Sequence, residues 1–361
     1  MSQIRKHGGN LNEASEMYNV PVEKMLDFSA NINPLGPPQI VYEVIKDNLM
    51  LISRYPDGRN KEVKKVLANH LGMAQENIIL GNGASELIFL IVNNIRPQQV
   101  WIPVPAFSEY EIAAESINAI IKHLPLQGES MDFFNLDKLS DLQENDIIFI
   151  CNPNNPTGQL FDKLFLTELF KLCRHKGAYL IIDESFLDFL EDYHLISHMP
   201  QAVQNKNLLI LYSLTKFFAI PGLRLGALIA HTSHINRLDR ARDPWNINTF
   251  AQLAGEAALK DTNFIKETYN FFKKEREFLY ISLKEIQGLV PFKPTANYIF
   301  IKLLPPNSSS ELTEKLAKKG VLIRNCNSYP LLNEGFIRVA IKSHEDNLKL
   351  LANLKEVLIT R

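Results

Sequence analysis

LLILYSLTKFFAIPGLRLG (Leu208–Gly226) sets a short apolar run directly before Ser213-Leu214-Thr215-Lys216, with Arg224 eight residues beyond the lysine. The run Leu208–Tyr212 suits a buried strand. A lysine at the exit of such a strand loses hydration, so its amine can be neutral and nucleophilic toward an aldehyde. Two hydroxyls and a guanidinium close by suit a phosphate dianion. Taken alone, Ser-Leu-Thr-Lys fits better as a surface lysine beside two turn hydroxyls, because short motifs need context.

Working outward, similar apolar runs recur at Asn77–Leu80, Val100–Pro103, Asp146–Cys151 and Ala178–Asp183. Amphipathic stretches separate them. Residues 60–71 place Val63, Val66, Leu67 and Leu71 near one face before Gly72, and 162–176 runs from Asp162 to Gly177. Strand and helix in alternation predict an α/β fold with a largely parallel sheet. The rhythm changes near residue 262, where a charged amphipathic helix (262–287) precedes strands at 297–303 and 336–341 and helices at 310–319 and 344–359. The expected organisation is an N-terminal arm (1–37) rich in Gly, Asn and Pro and not itself a packed unit, a large domain (38–261) and a smaller α+β domain (262–361). The arm contributes to the small domain and the active site in this reading.

Further candidates stand at strand ends. Asp183 closes the run AYLIID, where open parallel sheets hold their ligands. It would keep a pyridine nitrogen protonated, or it caps the next segment. NPNNPTG (152–158) is composed of turn formers and could offer the Asn155 amide to a ring oxygen. GNGAS (81–85) joins strand to helix, and its free N–H groups attract phosphate unless Ser85 merely caps the helix. Phe107, in PAFSEY (105–110), suits either a stacking surface for a flat ring or the core.

Composition narrows the partners. Lys and Arg total 39 and Asp and Glu 40, a formal charge of −1, which argues against a general nucleic-acid or membrane-surface binder. Cys151, Cys173 and Cys326 form no CxxC pair, so no metal or disulfide framework is expected. No apolar run suits a signal peptide or a membrane span, and a cytoplasmic location is expected.

The ordered set GNGAS, PAFSEY, NPNNPTG, Asp183-Glu184, SLTK, GLRLG and FIRVA (336–340) resembles the pyridoxal-phosphate-dependent aminotransferases of the aspartate-aminotransferase fold (fold type I), from about residue 27 onward. The resemblance implies pyridoxal 5′-phosphate (PLP) joined to Lys216, with Asp183 on its pyridine nitrogen. It implies Asn155 on the ring oxygen, Phe107 against the ring, and Ala84, Ser85, Ser213, Thr215 and Arg224 around the phosphate. Tyr55, in Arg54-Tyr55-Pro56, resembles the tyrosine that reaches a neighbouring subunit's cofactor, which implies a homodimer. Arg338 resembles the arginine that takes the substrate carboxylate.

Within that superfamily, Val321-Leu322-Ile323-Arg324-Asn325 is similar to the histidinol-phosphate aminotransferases. His7-Gly8-Gly9-Asn10 and DFSANINPLG (27–36) are similar to the L-threonine-O-3-phosphate decarboxylases of cobalamin synthesis. Many relatives place a tyrosine three residues after the aspartate; here Phe186 stands there, which fits the decarboxylase branch. The branch implies loss of CO₂ to leave (R)-1-aminopropan-2-yl phosphate. His7, Asn31, Asn155, Arg324 and Arg338 would then hold a small phosphorylated amino acid. The choice between lyase and aminotransferase is stereoelectronic: the bond that breaks must stand perpendicular to the conjugated plane. His7 alone fits a solvated terminus and Arg324 alone fits a surface ion pair. A catalytically silent regulator would carry an appended DNA-binding segment or lack the lysine, and the sequence shows neither feature.

Overall fold

The computed structural model describes residues 8–359. After β1 (Leu26–Asp27), seven strands follow: β2 (Ile78–Gly81), β3 (Gln99–Val104), β4 (Ile120–Pro125), β5 (Ile147–Cys151), β6 (Tyr179–Asp183), β7 (Leu208–Ser213) and β8 (Gly226–Ala230). They form one sheet in the order β2-β8-β7-β6-β5-β3-β4. β8 runs antiparallel to both neighbours, and the pairs from β7 to β4 are parallel. Alternate residues of these strands enter two different cores. Ile148, Ile150, Leu180, Ile182 and Ile210 lie in one, and Ile147, Phe149, Ile181, Leu209 and Leu211 in the other. Burial on both faces explains why the strands read as unbroken apolar runs.

The helix between β5 and β6, Lys163–Lys176, has the expected ends. Asp162 accepts from the Leu164 and Phe165 amides at 2.8 and 3.0 Å, and Gly177 closes it at φ 71°. Two strands escape the apolar-run reading. β4 is an edge strand with Lys122 and His123, mostly unburied. β8 begins at glycine, and three of its five residues are glycine or alanine.

A second sheet, β12-β13-β10-β9, is antiparallel and comprises β9 (Leu289–Pro291), β10 (Tyr298–Leu303), β12 (Arg324–Asn325) and β13 (Phe336–Ala340). The helix Thr262–Lys284 leads into it and buries Phe264, Thr268, Phe272, Leu279 and Leu283. Arg276 on this helix donates to the Phe189 and Ala296 carbonyls at 2.9 and 3.1 Å. Among the described residues no helix is long and apolar enough to cross a membrane.

The N-terminal segment is more ordered than its composition predicts. It holds a helix at Leu11–Tyr18, and β1 pairs in parallel with β11 (Val321–Leu322). Phe28 is fully buried, and its carbonyl accepts from the Ala340 amide at 2.8 Å. Further on, the Asn33 amide nitrogen of the backbone donates to the Lys216 carbonyl at 3.1 Å. Its side-chain Nδ2 donates to the Phe217 carbonyl at 2.8 Å and to Thr268 Oγ1 at 3.0 Å. Tertiary hydrogen bonds, not local propensity, therefore fix this segment.

Asn33→Ala would leave the buried Phe217 carbonyl without that donor. A stability loss of about 1–3 kcal/mol is expected, read as a lower denaturation midpoint. An unchanged midpoint would remove Asn33 as the tie between the arm and the lysine turn.

Candidate active site

The register of the large sheet assembles the site. Cys151 pairs with Asp183 and Asp183 with Leu211, so β5 and β6 end level with one another and β7 runs two residues further, to Ser213. The turns that follow carry Asn155, Asp183 itself and Lys216 to one edge, the carboxyl ends where such sheets bind ligands. Gly226 pairs with both Gly81 and Ser213, which sets GLRLG against GNGAS and SLTK. A Cβ at Gly226 would lie 2.6 Å from the Ala84 nitrogen, so only glycine permits that approach.

A cleft of about 1480 Å³ opens at this edge. Asn31, Ala84, Ser85, Phe107, Asn155, Asp183, Ser213, Thr215, Lys216, Arg224, Arg324 and Arg338 all line it. Tyr55 does not: it is 79% exposed and stacks on Trp245, ring centres 4.5 Å apart. His7 lies outside the described residues, while the adjacent Gly8 lines the cleft.

At one end of the cleft lies an anion cradle. Ser213 Oγ and Thr215 Oγ1 are 2.8 Å apart, and Lys216 Nζ donates to Ser213 Oγ at 3.1 Å. The helix Ala84–Ile95 begins without a side-chain cap, since its cap position is Gly83 and Ser85 sits inside the first turn. Its leading N–H groups thus retain their affinity for an anion. The Arg224 guanidinium packs on Gly83, where a Cβ would meet it at 2.4 Å. Arg224 itself holds φ 62°, a conformation costly for a non-glycine residue and found where surrounding structure enforces a functional position.

At the other end is the buried Asp183 carboxylate. Its Oδ2 accepts from Tyr110 Oη at 2.7 Å and its Oδ1 from the Ser185 amide at 3.0 Å, so it both orients toward the cleft and closes its own turn. Tyr110 stands in PAFSEY but was not among the expected site residues. Burial, then the Asp183 charge, raises its phenol well above the usual range and keeps it a donor. Lys216 lies between the two ends, its Nζ 5.1 Å from the centre of the Phe186 ring. Burial lowers its ammonium's pKa; Asp183 opposes that shift and Arg224 adds to it. Phe107 lines the cleft while meeting Tyr110 edge-on at 5.6 Å and packing on the core, so both of its expected roles are compatible.

Arg338 Nη1 donates to Asn155 Oδ1, and Nη2 donates to the Ser29 carbonyl at 2.7 Å. The guanidinium carbon lies 5.2 Å from the Tyr298 ring centre. Arg338 Nε and Asn31 Oδ1 are buried without hydrogen-bond partners, two polar atoms left over beside the cleft. Arg324 is aligned with Arg338 across β12 and β13. The loop after Arg324 is latched by Glu334, which accepts from Ser308, Ser309, the Ser310 amide and Asn327. Asn327 and Ser310, the leading donors, hold the Glu334 carboxyl down to about 2.

Hydroxyls with a guanidinium at one end, an amine in the middle and a carboxylate beyond it fit a flat pyridine aldehyde phosphate. Fold and site together define a PLP enzyme of the aspartate-aminotransferase architecture. The chain belongs to the aminotransferase class I and II family, which residues 23–354 match. The threonine-phosphate decarboxylase of Salmonella typhimurium is 36% identical over 356 residues, 98% of this chain and 96% of that one. Among solved structures, the histidinol-phosphate aminotransferase from Clostridium acetobutylicum aligns with a TM-score of 0.85 at 33% identity, covering 93% of this chain and all of that one (100%). The Sinorhizobium meliloti histidinol-phosphate aminotransferase, in complex with pyridoxal-5′-phosphate, gives 0.85 at 19% identity, covering 100% and 98%.

Lys216→Ala should abolish the visible absorption of covalently held cofactor together with steady turnover; an unchanged spectrum would place the attachment elsewhere. Glu334→Gln should destabilise the protein at neutral pH. The latch is complete above the ordinary carboxylate value of 4.5 and fades as pH falls toward about 2, so the gap between wild type and variant should close over that window. A gap that persists at the acid end would show that the charge is not what latches the loop.

Proposed function

We propose that the chain decarboxylates L-threonine O-3-phosphate, giving CO₂ and (R)-1-aminopropan-2-yl phosphate, the step in cobalamin synthesis that the resemblance implies. The observation that carries the reading is the pair of arginines aligned on adjacent strands, Arg324 and Arg338, in the cleft that holds Lys216. A substrate with two anionic ends matches two guanidiniums. The identity to the Salmonella typhimurium decarboxylase, over nearly the full length of both chains, supports the same reading.

When bound, PLP supplies a conjugated ring that accepts the electron pair of the broken bond. The residues of this chain do the rest. Lys216 would hold the cofactor and, as an ammonium carrying the proton that the substrate's amino group gives up, would return it to the carbon that lost CO₂. Asp183 would pair with the pyridine nitrogen and favour its protonated form. Arg338 takes the carboxylate and Arg324 the phosphate, and these two anchors set which bond stands upright. Asn31, with its unpartnered Oδ1, would complete the arm's side of the pocket.

The working unit in this reading is a homodimer. Tyr42, Met50, Ile52 and Tyr55 are 55%, 84%, 79% and 79% exposed along one short stretch, a run of apolar side chains suited to cover by a partner surface. A second copy would cover that stretch and bring Tyr55 to the neighbouring cofactor.

The test is incubation with threonine phosphate in the absence of any keto acid. Release of CO₂ with equimolar aminopropanol phosphate is expected. Product formed only with 2-oxoglutarate, with glutamate accumulating, or turnover of histidinol phosphate under those conditions, would make the chain an aminotransferase instead.

A further inference from the structure

Asn155 Oδ1 is engaged twice. Besides Arg338 Nη1, Tyr329 Oη donates to it at 3.4 Å. An amide whose oxygen is so occupied turns its NH₂ edge the other way, as a donor. Tyr329 does more than this. The Arg324 guanidinium carbon lies 5.2 Å from its ring centre, over the ring face. Arg324 Nη2 also donates to the neighbouring Ser328 Oγ at 3.0 Å. Tyr329 is 9% exposed and lines the cleft. Its ring packs with Phe300 and Cys326, and its backbone is pinned by bonds from Tyr329 N to the Cys326 carbonyl and from Leu332 N to the Tyr329 carbonyl, both 3.1 Å.

We propose that Tyr329 is a positioning and specificity residue that joins the cofactor side of the site to the phosphate side of the substrate. Its hydroxyl adds a second bond to the Asn155 orientation that Arg338 enforces, with the NH₂ edge turned toward the place of the ring oxygen. Its ring carries Arg324 in the direction of the substrate phosphate. The two roles sit on separable atoms. The inference deepens the proposed function and rests on it for the phosphate half; the amide half needs only the bound cofactor.

The chemistry of the pair supports this assignment. A guanidinium over an aromatic face keeps its N–H edge free for an anion, whereas one spent on a carboxylate would not. Arg324 has a hydroxyl and a ring as its neighbours here, so its positive charge stays available. Asn155 has less freedom: rotation would set its NH₂ against Arg338 Nη1, which can only donate, and would cost the bond its oxygen accepts from Tyr329 Oη.

The experiment compares wild type, Tyr329→Phe and Tyr329→Leu, each loaded with PLP to equal occupancy and checked for an unchanged fold by circular dichroism. The visible absorption is titrated with pH, and spectral dissociation constants are measured for L-threonine and for L-threonine O-3-phosphate. In Tyr329→Phe the titration midpoint should rise by about 0.4–1 pH unit, the effect of weakening one hydrogen bond to the anionic ring oxygen. Threonine phosphate should bind that variant within about twofold of wild type, since the ring remains. In Tyr329→Leu threonine phosphate should bind about 3- to 10-fold more weakly, with threonine unaffected. A Tyr329→Phe midpoint equal to wild type overturns the amide half. Equal weakening of both ligands in Tyr329→Leu overturns the phosphate half. A wild type that binds PLP yet releases no CO₂ from threonine phosphate removes the functional reading and the phosphate half with it, while the titration still decides the amide half.

Discussion

An ammonium taken out of water at the end of a buried strand is expensive, and much of the structure is arranged around that cost. Lys216 is half-buried, with its Nζ on Ser213 and above the Phe186 ring. Burial drives the amine toward neutrality, and the Asp183 charge limits how far it goes. That balance is useful only if the lysine stays put. The Asn33 amide on the Lys216 carbonyl and the Asn33 side chain on the next carbonyl hold the turn from the side of the arm. A residue nearly two hundred positions earlier is thus part of what keeps the reactive amine in place.

The large sheet was legible where both faces of a strand are buried, because such strands show as plain apolar runs. β2, β3, β5, β6 and β7 were found that way to within a residue or two. β4 was not, since an edge strand alternates with solvent and Lys122 and His123 break the run. β8 was not, since Gly226 must leave room for the 83–84 turn and the alanines in the strand add little apolar bulk to the run. The packing of the arm was hidden for a different reason. Its bonds run to Lys216, Phe217, Thr268 and Ala340, all far off in the sequence, and no local pattern encodes them.

The same distinction divides the site. Residues at strand ends could be named because a parallel sheet brings those ends together whatever lies between. Asp183 follows from the register, and Lys216 and Asn155 from the turns that leave β7 and β5 beside it. Tyr110 and Tyr329 could not be named, because each acts through another side chain: Tyr110 on Asp183 and Tyr329 on Asn155. Tyr110 left one signal, its place in PAFSEY beside Phe107. Tyr329 left none beyond its nearness to Arg324. Tyr55 lies outside the cleft of its own chain, so the cofactor contact that the resemblance implies for it would need a second subunit.

A net charge near zero hides how unevenly charge is distributed within the cleft. Arg224 lies at the cradle, Arg324 and Arg338 lie on the second sheet, and Asp183 sits at the far end of the ring site. The consequence concerns geometry more than affinity. Arg338 bonds to Asn155, which belongs to the large sheet, and to the Ser29 carbonyl, which belongs to the arm. The group proposed to receive the carboxylate is therefore coupled to the group proposed to face the ring oxygen. If the second sheet moves relative to the first, the carboxylate anchor and the ring donor move against each other. Because the reacting bond must stand perpendicular to the ring, that coupling bears directly on which bond is broken. In the proposed reaction, selectivity between losing CO₂ and losing a proton would then depend on how these three segments are tied together as well as on the residues that touch the substrate.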